Sequence, residues 1–587
     1  MCGIIAIAGE GAEKTNDRVL AAMLGTLSLR GPDDSGFDRF PGCVLGQTRL
    51  SIIDLAGGHQ PMRDETLGLS IAFNGEIYNW KEIRTTLEVK GRTFHTHSDT
   101  EVILKAYSEY GTDCVHHLDG MFAFALWDET KKTLFIARDR FGKKPLFYGY
   151  DDRGRICIAS EIKALRAGGV VEGGIDPLAI DNFLTLMYIP PWKTVYKNIH
   201  VLPPAYRGVW KDGALTTERY WSLPEAPLSV GYTEAKEVTR DLIQKAVKKR
   251  MLAADVEVGA FLSGGVDSTL VSAYAQTALD HPLKTFSIGY EDHINELPFA
   301  LEASRAIGTE QHTLQASSDL VGEIESVLAY LDEPHADSSL FPQHILSKLA
   351  ASQVKVALSG DGADELFMGY GWYSKWENVQ KIVRLKNTLF SDRLSEHIKY
   401  VSVFTPAERE ELWGGAHYMN SDIVSEAVTA ARGNGIQKIN RFDLTTYLPG
   451  QLLTKVDRTS MMHSLEVRCP FLDQALAEYV YNLPTEFKMN RRENKIILKD
   501  ILLDIMPREF VYRRKQGFGA PVLAWLQTPH VRALAENRLR GNSRITQFFK
   551  KEAVASLLDR FYAKGDTSLH YKIWTLLSLE IWLATRI

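Results

Sequence analysis

The sequence has no long apolar run, few cysteines and little charge imbalance. No stretch of the 587 residues reaches the roughly 18 apolar residues of a membrane-spanning helix, and no basic segment precedes an apolar run at the start of the chain. The five cysteines are scattered and never stand in C-x-x-C spacing, which argues against a zinc site and a disulfide framework. These absences predict a cytoplasmic protein with no membrane partner.

The composition is that of a folded globular protein, with 45% hydrophobic and 24% charged residues. A formal net charge of -5 gives no electrostatic reason to bind nucleic acid. At roughly 150 residues per domain the length allows about two to four domains, and the sequence favours two large ones. Gly- and Pro-rich connections at residues 168–232 are the predicted junction.

The strongest chemical signal is F-L-S-G-G-V-D-S at residues 261–268, between a strand-like and a helix-like run. Adjacent glycines let a backbone approach an oxyanion, and hydroxyls at the positive end of a helix add donors, so the natural ligand is phosphate or pyrophosphate. The spacing is neither a Walker loop nor a dinucleotide fingerprint. The segment resembles the S-G-G-x-D-S loop of ATP pyrophosphatases, which implies ATP contacts from Leu262, Ser263, Gly264, Gly265, Asp267 and Ser268.

Strand-like runs at residues 283–290 and 354–360 alternate with helix-like runs, which predicts a parallel sheet. Ligands bind such sheets outside the carboxyl ends of the strands. We therefore expect Ile288, Ser359 and Gly360 to line an adenine pocket beside the loop.

Three carboxylates follow within five residues, in the segment S-G-D-G-A-D-E-L at residues 359–366. Because a buried strand precedes them, they need cations or hydrogen bonds to be tolerated. Mg²⁺ binds through one or two carboxylates together with substrate phosphates, so Asp267 and Asp364 are the predicted metal ligands around ATP.

The chain begins with Met1 and Cys2, ahead of an apolar strand. Removal of Met1 would leave Cys2 with a free α-amino group, whose ordinary pKa is about 7.7 to 8 and which can act as the base for the thiol. Taken alone, the Met-Cys start favours the interpretation of Cys2 as a small buried apolar residue. The segments that follow favour the interpretation of Cys2 as a nucleophile.

Polar segments between strand-like runs supply the groups that a glutamine substrate needs. An arginine fork matches its α-carboxylate, an aspartate matches its α-ammonium, and an asparagine side chain with a glycine N–H can form an oxyanion hole. In this order the segments resemble the class II glutamine amidotransferase domain. The resemblance implies Cys2 as nucleophile, Arg49 and Asp99 as glutamine contacts, and Asn74 with Gly75 as oxyanion donors beside Glu76.

Two later blocks complete a longer pattern, G-D-G-A-D-E-L-F-M-G-Y at residues 360–370 and K-V-D-R followed by L-E-V-R-C-P-F-L-D within residues 455–473. With Cys2 and the loop they resemble the glutamine-dependent asparagine synthetase family over nearly the full length. The resemblance implies two domains of α/β and α+β class. Residues 1–210 would form the αββα sandwich of N-terminal-nucleophile hydrolases, and residues 211–587 an α/β ATP-pyrophosphatase domain with a parallel sheet and added helices.

The family implies that glutamine is hydrolysed in the first domain and that ATP with Mg²⁺ adenylates a carboxylate in the second, releasing pyrophosphate. Ammonia then travels through an internal channel and displaces AMP. Asp361 takes the position tied to the acyl-adenylate step, Glu365 that of an acceptor-site residue, and Lys495 that of a cation that stabilises the transition state. The predicted partners are glutamine, ATP and aspartate or another carboxylate, together with a second copy of the chain in a homodimer.

The acceptor stays open at this stage, because Asn295 and Ala205 stand where the family more often has Asp and Gly. A sugar acid or a peptide is the alternative acceptor, and a glutaminase or regulatory protein with a non-catalytic nucleotide domain is the remote alternative.

The basic residues at 140–144 and 245–250 are predicted to be solvated. Arg458 and Arg468 are predicted to form local ion pairs, and residues 514–521 to add positive charge to the synthetase site.

Overall fold

The computed structural model describes residues 1–290, 296–316, 321–386, 393–414, 435–513 and 520–586. Asn295 and residues 514–519, on which two of the expectations above depend, lie outside the described residues. Within the described ranges, no helix combines the length and the apolar character needed to cross a bilayer.

Two antiparallel sheets of six strands form the centre of the N-terminal domain. The strand bounds are β1 Gly3–Ala8, β2 Asp34–Phe40, β3 Cys43–Arg49, β4 Met62–Asp64, β5 Leu69–Ile77, β6 Gly120–Asp128, β7 Thr133–Arg138, β8 Phe147–Tyr150, β9 Ile156–Ala159, β10 Ile199–Val201, β11 Tyr206–Lys211 and β12 Ala214–Arg219. Their spatial orders are β10-β8-β9-β1-β3-β2 and β12-β11-β7-β6-β5-β4.

The two sheets pack face to face, and helices cover their outer faces. Because side chains alternate along a strand, Ile4 of β1 joins Ala123 of β6 in the apolar layer between the sheets, while Ile5 joins the layer outside. The helices of this domain are Asp17–Gly25, Ile162–Arg166 and Pro177–Leu186 beside the first sheet, and Trp80–Val89 and Asp99–Tyr110 beside the second. This is the predicted αββα sandwich.

The second domain contains a parallel sheet of five strands, as predicted. The bounds are β13 Val258–Phe261, β14 Lys284–Tyr290, β15 Glu310–Ala316, β16 Val356–Leu358 and β17 Glu466–Arg468, in the spatial order β15-β14-β13-β16-β17. Phe261 faces one apolar core and Ala260 the other, so both faces of the sheet are covered. The carboxyl ends of all five strands share one edge.

Helices make up most of the remaining described chain. The α-helices are Tyr232–Leu252, Val266–Gln276, Leu297–Ile307, Val321–Tyr330, Leu340–Ala351, Ala363–Leu366, Gly371–Lys386, Arg393–Val401, Pro406–Trp413, Gly435–Phe442, Leu453–Met461, Gln474–Tyr481, Thr485–Lys488, Ile496–Leu502, Arg508–Val511, Val522–Gln527, Pro529–Arg540, Lys551–Leu558 and His570–Ala584. A π-helical segment, Asp443–Leu452, leads directly into Leu453–Met461.

The chain leaves the first domain after the hairpin of β11 and β12. This hairpin forms the edge of the second sheet, because β11 pairs with β7 and β12 pairs only with β11 among the described strands. The helix that opens the next domain begins at Tyr232. The boundary between residues 210 and 211 stays a prediction, and in the structure residue 210 lies within β11.

The basic segment at residues 140–144 is buried, so the prediction that it is solvated is wrong. Lys143 and Lys144 are 6% and 2% exposed. Lys143 Nζ donates to the Leu472 carbonyl of the second domain at 3.0 Å, and Lys144 Nζ lies 4.0 Å from an Asp457 carboxylate oxygen. Buried cations need partners, and this segment finds them across the domain boundary.

The cluster at residues 245–250 is buried only in part. Lys245 and Lys248 are exposed, as predicted, but Arg250 is fully buried. Arg250 Nη1 donates to Asp473 at 3.1 Å, and its guanidinium lies 4.4 Å from the centre of the Tyr78 ring. Arg250 therefore joins the two domains instead of facing water.

Candidate active site

Cys2 lies just before β1 and is held by two residues of the first domain. Its backbone N–H donates to Asn74 Oδ1 at 3.0 Å, and its carbonyl accepts from Arg30 Nε at 3.2 Å. Met1 is present, and its α-ammonium lies 3.2 Å from the carboxylate of Glu466 on β17. The start of the chain is thus anchored on the sheet of the second domain.

While Met1 is in place, the Cys2 thiol lacks a base on its own residue. Burial raises the pKa of this thiol, and the nearby α-ammonium, a Leu50 backbone hydrogen bond and Arg49 offset only part of that rise. The nitrogen of Cys2 is then an amide that donates to Asn74. Removal of Met1 converts that nitrogen into an amine, so the geometry suits an N-terminal nucleophile after the cleavage.

Asn74, on β5, places a hydrogen-bond donor next to Cys2, and Gly75 follows it on the same strand. Asn74 is fully buried, and its Nδ2 has no hydrogen-bond partner in the part of the chain that the structure describes. Gly75 has a φ of +152°, and an added Cβ would lie 2.0 Å from the Met121 carbonyl oxygen. Only glycine fits there, and the Asn74 amide is free to donate to a ligand.

Arg49 and Asp99 lie in the same region. The Arg49 guanidinium donates to the carbonyl oxygens of residues 53–55 at 2.8–3.2 Å, which fixes the side chain. Asp99 Oδ2 accepts from the Ile77 N–H at 2.9 Å. Burial raises the pKa of Asp99 to about 7, although this hydrogen bond lowers it in part. An ionised Asp99 would be a buried partner for an ammonium group.

Glu76 connects this site to the second domain. It is 4% exposed, and its Oε1 lies 3.5 Å from Arg468 Nη2 on β17. Burial and the nearby carboxylate of Glu466 raise the pKa of Glu76 well above its usual range. Arg468 also donates to Glu466 at 2.7 Å, so the predicted local ion pair exists and has a partner from the other domain as well.

A cavity of about 1010 Å³ opens at the carboxyl ends of the parallel strands, large enough for a nucleotide and a small acid. It brings together every residue predicted for the synthetase site. These are Leu262, Ser263, Gly264, Gly265, Asp267, Ser268, Ile288, Ser359, Gly360, Asp361, Asp364, Glu365 and Lys495.

The loop between β13 and the helix Val266–Gln276 forms one wall of the cavity. Gly264 has a φ of +73°, and a Cβ there would lie 2.6 Å from the backbone of Phe299, so the turn requires glycine. The Gly265 N–H donates to Ser263 Oγ at 3.2 Å, and Ser263 Oγ lies 3.0 Å from Ser268 Oγ. Hydroxyl and N–H groups are therefore collected at a helix N-terminus, where anions are stabilised.

Lys495 joins the two predicted metal ligands. Its Nζ lies 2.5 Å from Asp267 Oδ2 and 2.7 Å from Asp364 Oδ1. Burial lowers the pKa of Lys495, but the two carboxylates outweigh that effect and raise it overall. An added Cβ on Gly369 would lie 2.0 Å from Asp364 Oδ1 and 2.1 Å from Lys495 Cε, so this glycine, which sequence reasoning missed as a site residue, is required for the contact.

Asp267 and Asp364 fit the chemistry of a magnesium site. One oxygen of each carboxylate contacts the Lys495 ammonium, and oxygen donors are the ligands that Mg²⁺ prefers. No group of three or more His, Cys, Asp or Glu side chains in the described ranges could hold a metal ion by itself. The pair would therefore need substrate phosphates to complete the coordination of Mg²⁺.

Asp361 and Glu365 differ in their surroundings. Asp361 Oδ2 accepts from Ser359 Oγ at 2.7 Å at the edge of the cavity. Glu365 is 1% exposed and accepts a hydrogen bond from the Tyr370 hydroxyl. Burial, with Asp364 adding to it, raises the pKa of Glu365 to about 8, so this carboxyl is mostly protonated at neutral pH.

Sequence reasoning missed the group that connects the two sites. Arg30 Nη1 contacts Glu161 at 2.9 Å and Asp457 at 2.8 Å, while its Nε donates to the Cys2 carbonyl. Arg458 contacts the same Glu161 at 2.9 Å, so its predicted local pairing is wrong in part. The only sequence signal was the dense charge at residues 455–458. Such a pattern does not indicate which residue, hundreds of positions away, pairs with these charges.

Comparison with known proteins agrees with this geometry. A family model described as asparagine synthase matches residues 238–584, and one described as a glutamine amidotransferase domain matches residues 1–221. Asparagine synthetase (glutamine-hydrolyzing) 1 of Bacillus subtilis is 32% identical, covering 99% of this chain and 96% of its own length. Asparagine synthetase (glutamine-hydrolyzing) 3 of the same organism is 34% identical, covering 86% and 84%. The chain belongs to the asparagine synthase family.

Proposed function

We infer that this protein makes asparagine from aspartate, with ATP as the energy source and glutamine as the nitrogen donor. The observation that carries the inference is that one chain has two separate sites. One site is the buried Cys2 beside the free Asn74 donor, and the other is the loop-lined cavity of about 1010 Å³. Relatives with this activity in their names align with nearly the whole chain.

In the first domain Cys2 acts on the amide group of glutamine. After Met1 is removed, the α-amine takes the thiol proton and the sulfur attacks the amide carbon. Asn74 Nδ2 and the Gly75 N–H stabilise the oxyanion, while Arg49 and Asp99 hold the α-carboxylate and α-ammonium. The Cys2 α-ammonium returns the proton to the amide nitrogen, which leaves as ammonia, and water then hydrolyses the thioester to glutamate and the free thiol.

In the second domain the loop around Ser263 and Ser268 binds the ATP phosphates. Magnesium, held by Asp267 and Asp364, would compensate the charge of the departing pyrophosphate. The side-chain carboxylate of aspartate attacks the α-phosphorus and pyrophosphate leaves. Lys495 stabilises the charge that develops, and Asp361 lies beside the resulting acyl-adenylate. Ammonia then attacks the acyl carbon and AMP leaves.

The location and the assembly of the protein belong to the same proposal. All five cysteines are free thiols, which fits the reducing cytoplasm. The homodimer stays a prediction from the family pattern, and its test is the molecular mass in solution.

The acceptor is tested by pyrophosphate release with ATP, Mg²⁺ and glutamine over a panel of carboxylic acids. Aspartate should give the highest turnover, with one asparagine for each pyrophosphate. Release with a sugar acid or a peptide, but not with aspartate, would replace the acceptor while leaving the reaction class intact.

Cys2→Ala should abolish glutamine hydrolysis and leave asparagine synthesis from an ammonium salt, because the two half-reactions lie in different domains. The salt-driven rate should rise with pH as free NH₃ increases. Cys114→Ala is the matched control, since Cys114 is also buried and free but lies in the core outside the second sheet. A folded Cys2→Ala protein that loses both activities contradicts the two-site reading.

Asp267→Asn and Lys495→Ala should separate metal binding from transition-state stabilisation. Asp267→Asn should cripple ATP use, because a neutral amide is a poor Mg²⁺ ligand. Lys495→Ala should leave ATP affinity largely intact and slow turnover by on the order of 10²-fold.

The two variants are compared by ATP affinity and pyrophosphate release, with glutamine hydrolysis as the internal control that neither should change. Lys105→Ala is a matched variant, because Lys105 is also a buried lysine and pairs with Asp64 at 2.5 Å. Equal loss of ATP affinity in both site variants would make Lys495 a ground-state phosphate ligand.

Glutamine binding should tighten as the pH rises through about 7, because Asp99 must ionise to hold the α-ammonium. The fraction of ionised Asp99 rises about tenfold from pH 6 to pH 8. Asp99→Asn removes this step, so the KM ratio of variant to wild type should grow with pH. Asp113→Asn, at a carboxylate on the surface, is the control. A ratio that is independent of pH would exclude Asp99 as the ammonium partner.

A further inference from the structure

The loop at residues 50–58 follows β3 and lies around the Arg49 guanidinium. Arg49 donates three hydrogen bonds to the carbonyl oxygens of residues 53–55. A Cβ on Gly58 would lie 2.3 Å from Arg49 Nη2, so the loop packs against the guanidinium with no space for a side chain at that position. A guanidinium has five N–H donors, so donors remain for a substrate carboxylate. The loop therefore determines where these remaining donors point.

Asp54 closes this loop with both its backbone and its side chain. Its φ of +46° lies in the left-handed region, which aspartate tolerates better than most residues do. Its carbonyl accepts from Arg49 Nη2 at 2.8 Å and from the Gly58 N–H at 2.9 Å. Its Oδ1 accepts from the Gly57 N–H at 2.8 Å. One residue thus holds the Arg49 side chain and the turn that encloses it.

The other oxygen of the same carboxylate reaches the segment that leads to Asp99. Asp54 Oδ2 accepts from the His97 N–H at 2.8 Å, two positions before Asp99. Arg49 ends β3, whereas Asp99 begins the helix Asp99–Tyr110, so the two predicted glutamine contacts lie on different elements. Asp54 joins these elements. The separation of the two contacts, which must match that of the α-carboxylate and the α-ammonium, therefore depends on Asp54.

The second domain holds the loop as well. Asp255, just before β13, accepts from the Asp54 N–H through its Oδ2 at 2.8 Å. Its own N–H donates to the Ile52 carbonyl at 2.9 Å. The Ile52 side chain is 2% exposed and belongs to the apolar core that includes Val258 of β13. The position of Asp54 is thus set by both domains.

We propose that Asp54 is a positioning residue for glutamine, and that Asp255 of the second domain holds Asp54 in place. The proposal rests on the proposed function, because it takes Arg49 and Asp99 as the partners of the α-carboxylate and the α-ammonium. Asp54 itself touches no substrate. Its effect falls on the binding of the α-amino acid and not on the attack by Cys2, whose backbone contacts come from other residues.

The first test is Asp54→Asn, which keeps the size of the side chain and its tolerance of a positive φ. The amide nitrogen cannot accept a hydrogen bond, so one of the N–H groups of residues 57 and 97 loses its acceptor. The KM for glutamine should rise on the order of tenfold, because a hydrogen bond to a charged group is lost. The kcat of glutamine hydrolysis should stay within about twofold of wild type.

A second measurement separates positioning from a general loss of stability. The wild-type protein should hydrolyse γ-aminobutyramide, which is glutamine without its α-carboxylate, much less efficiently than glutamine. Because Asp54→Asn weakens the hold on the carboxylate, the ratio of the two kcat/KM values should fall towards one. A variant that is merely less stable has less active protein, and this ratio then keeps its wild-type value.

Variants of Asp255 test the contribution of the second domain. Asp255→Ala removes the acceptor of the Asp54 N–H and should raise the KM for glutamine by a smaller factor, about threefold. Asp255→Asn, whose amide oxygen still accepts this hydrogen bond, should stay near the wild-type KM. Because Asp255 is exposed, this pair of variants decides the question if Asp54→Asn does not fold.

Asp151→Asn is the matched control. Asp151 Oδ1 also accepts from two loop N–H groups, those of residues 153 and 155, at 3.0 and 2.9 Å. Its hairpin adjoins the end of β1 away from Cys2, where Ala8 pairs with Ile156. The KM for glutamine and the ratio of the two substrates should therefore stay at wild-type values.

The opposing outcomes are distinct. An unchanged KM for glutamine in both Asp54→Asn and Asp255→Ala overturns the proposal. Equal losses of glutamine hydrolysis and of synthesis from ammonium chloride, at an unchanged KM, would make Asp54 important for folding alone and also overturn it. A wild-type protein that does not hydrolyse glutamine would refute the proposed function, and this result is read before any variant is compared.

Discussion

The buried ion pairs around Arg30 are the constraint on which the rest of the structure depends. Arg30 is fully buried and bridges Glu161 of its own domain to Asp457 of the other. A charge in such a place is tolerated only when it is fully paired, and removal of one partner of a buried pair typically costs about 3–5 kcal/mol. The buried charge of Arg30 is therefore compensated in this arrangement of the two domains, in which Glu161 and Asp457 both reach it.

The same pairing links the two sites. Arg30 donates to the Cys2 carbonyl, and its partner Asp457 lies on the helix Leu453–Met461, whose Lys455 lines the ATP cavity. The N-terminal ammonium, Glu466 and Arg468 make a second buried contact between the domains, at the start of the chain. The first contact reaches Cys2 through Arg30, and the second holds Met1, the residue before it, so both domains contribute to the position of the nucleophile.

Two cavities lie beside these contacts. Charged side chains of both domains, among them Arg138 and Asp457, line a cavity of about 50 Å³ between the domains. The large ATP cavity lies at the edge of a parallel sheet, where substrates of greater size can enter.

The sequence by itself determined the parallel sheet of the second domain and the turn at Gly264, because these follow from local patterns such as strand–helix alternation and tight glycine turns. Its motifs also carried the resemblance that implied the family and the two sheets of the first domain. It also named the residues that line the ATP cavity, whose catalytic roles stay predictions. Only the tertiary structure decided that Arg250 and the basic segment at residues 140–144 are buried, that Lys495 joins Asp267 to Asp364, and that Arg30 meets Asp457. The physical reason is that the partner of a buried charge comes from distant sequence, and charge spacing along the chain carries no information about it.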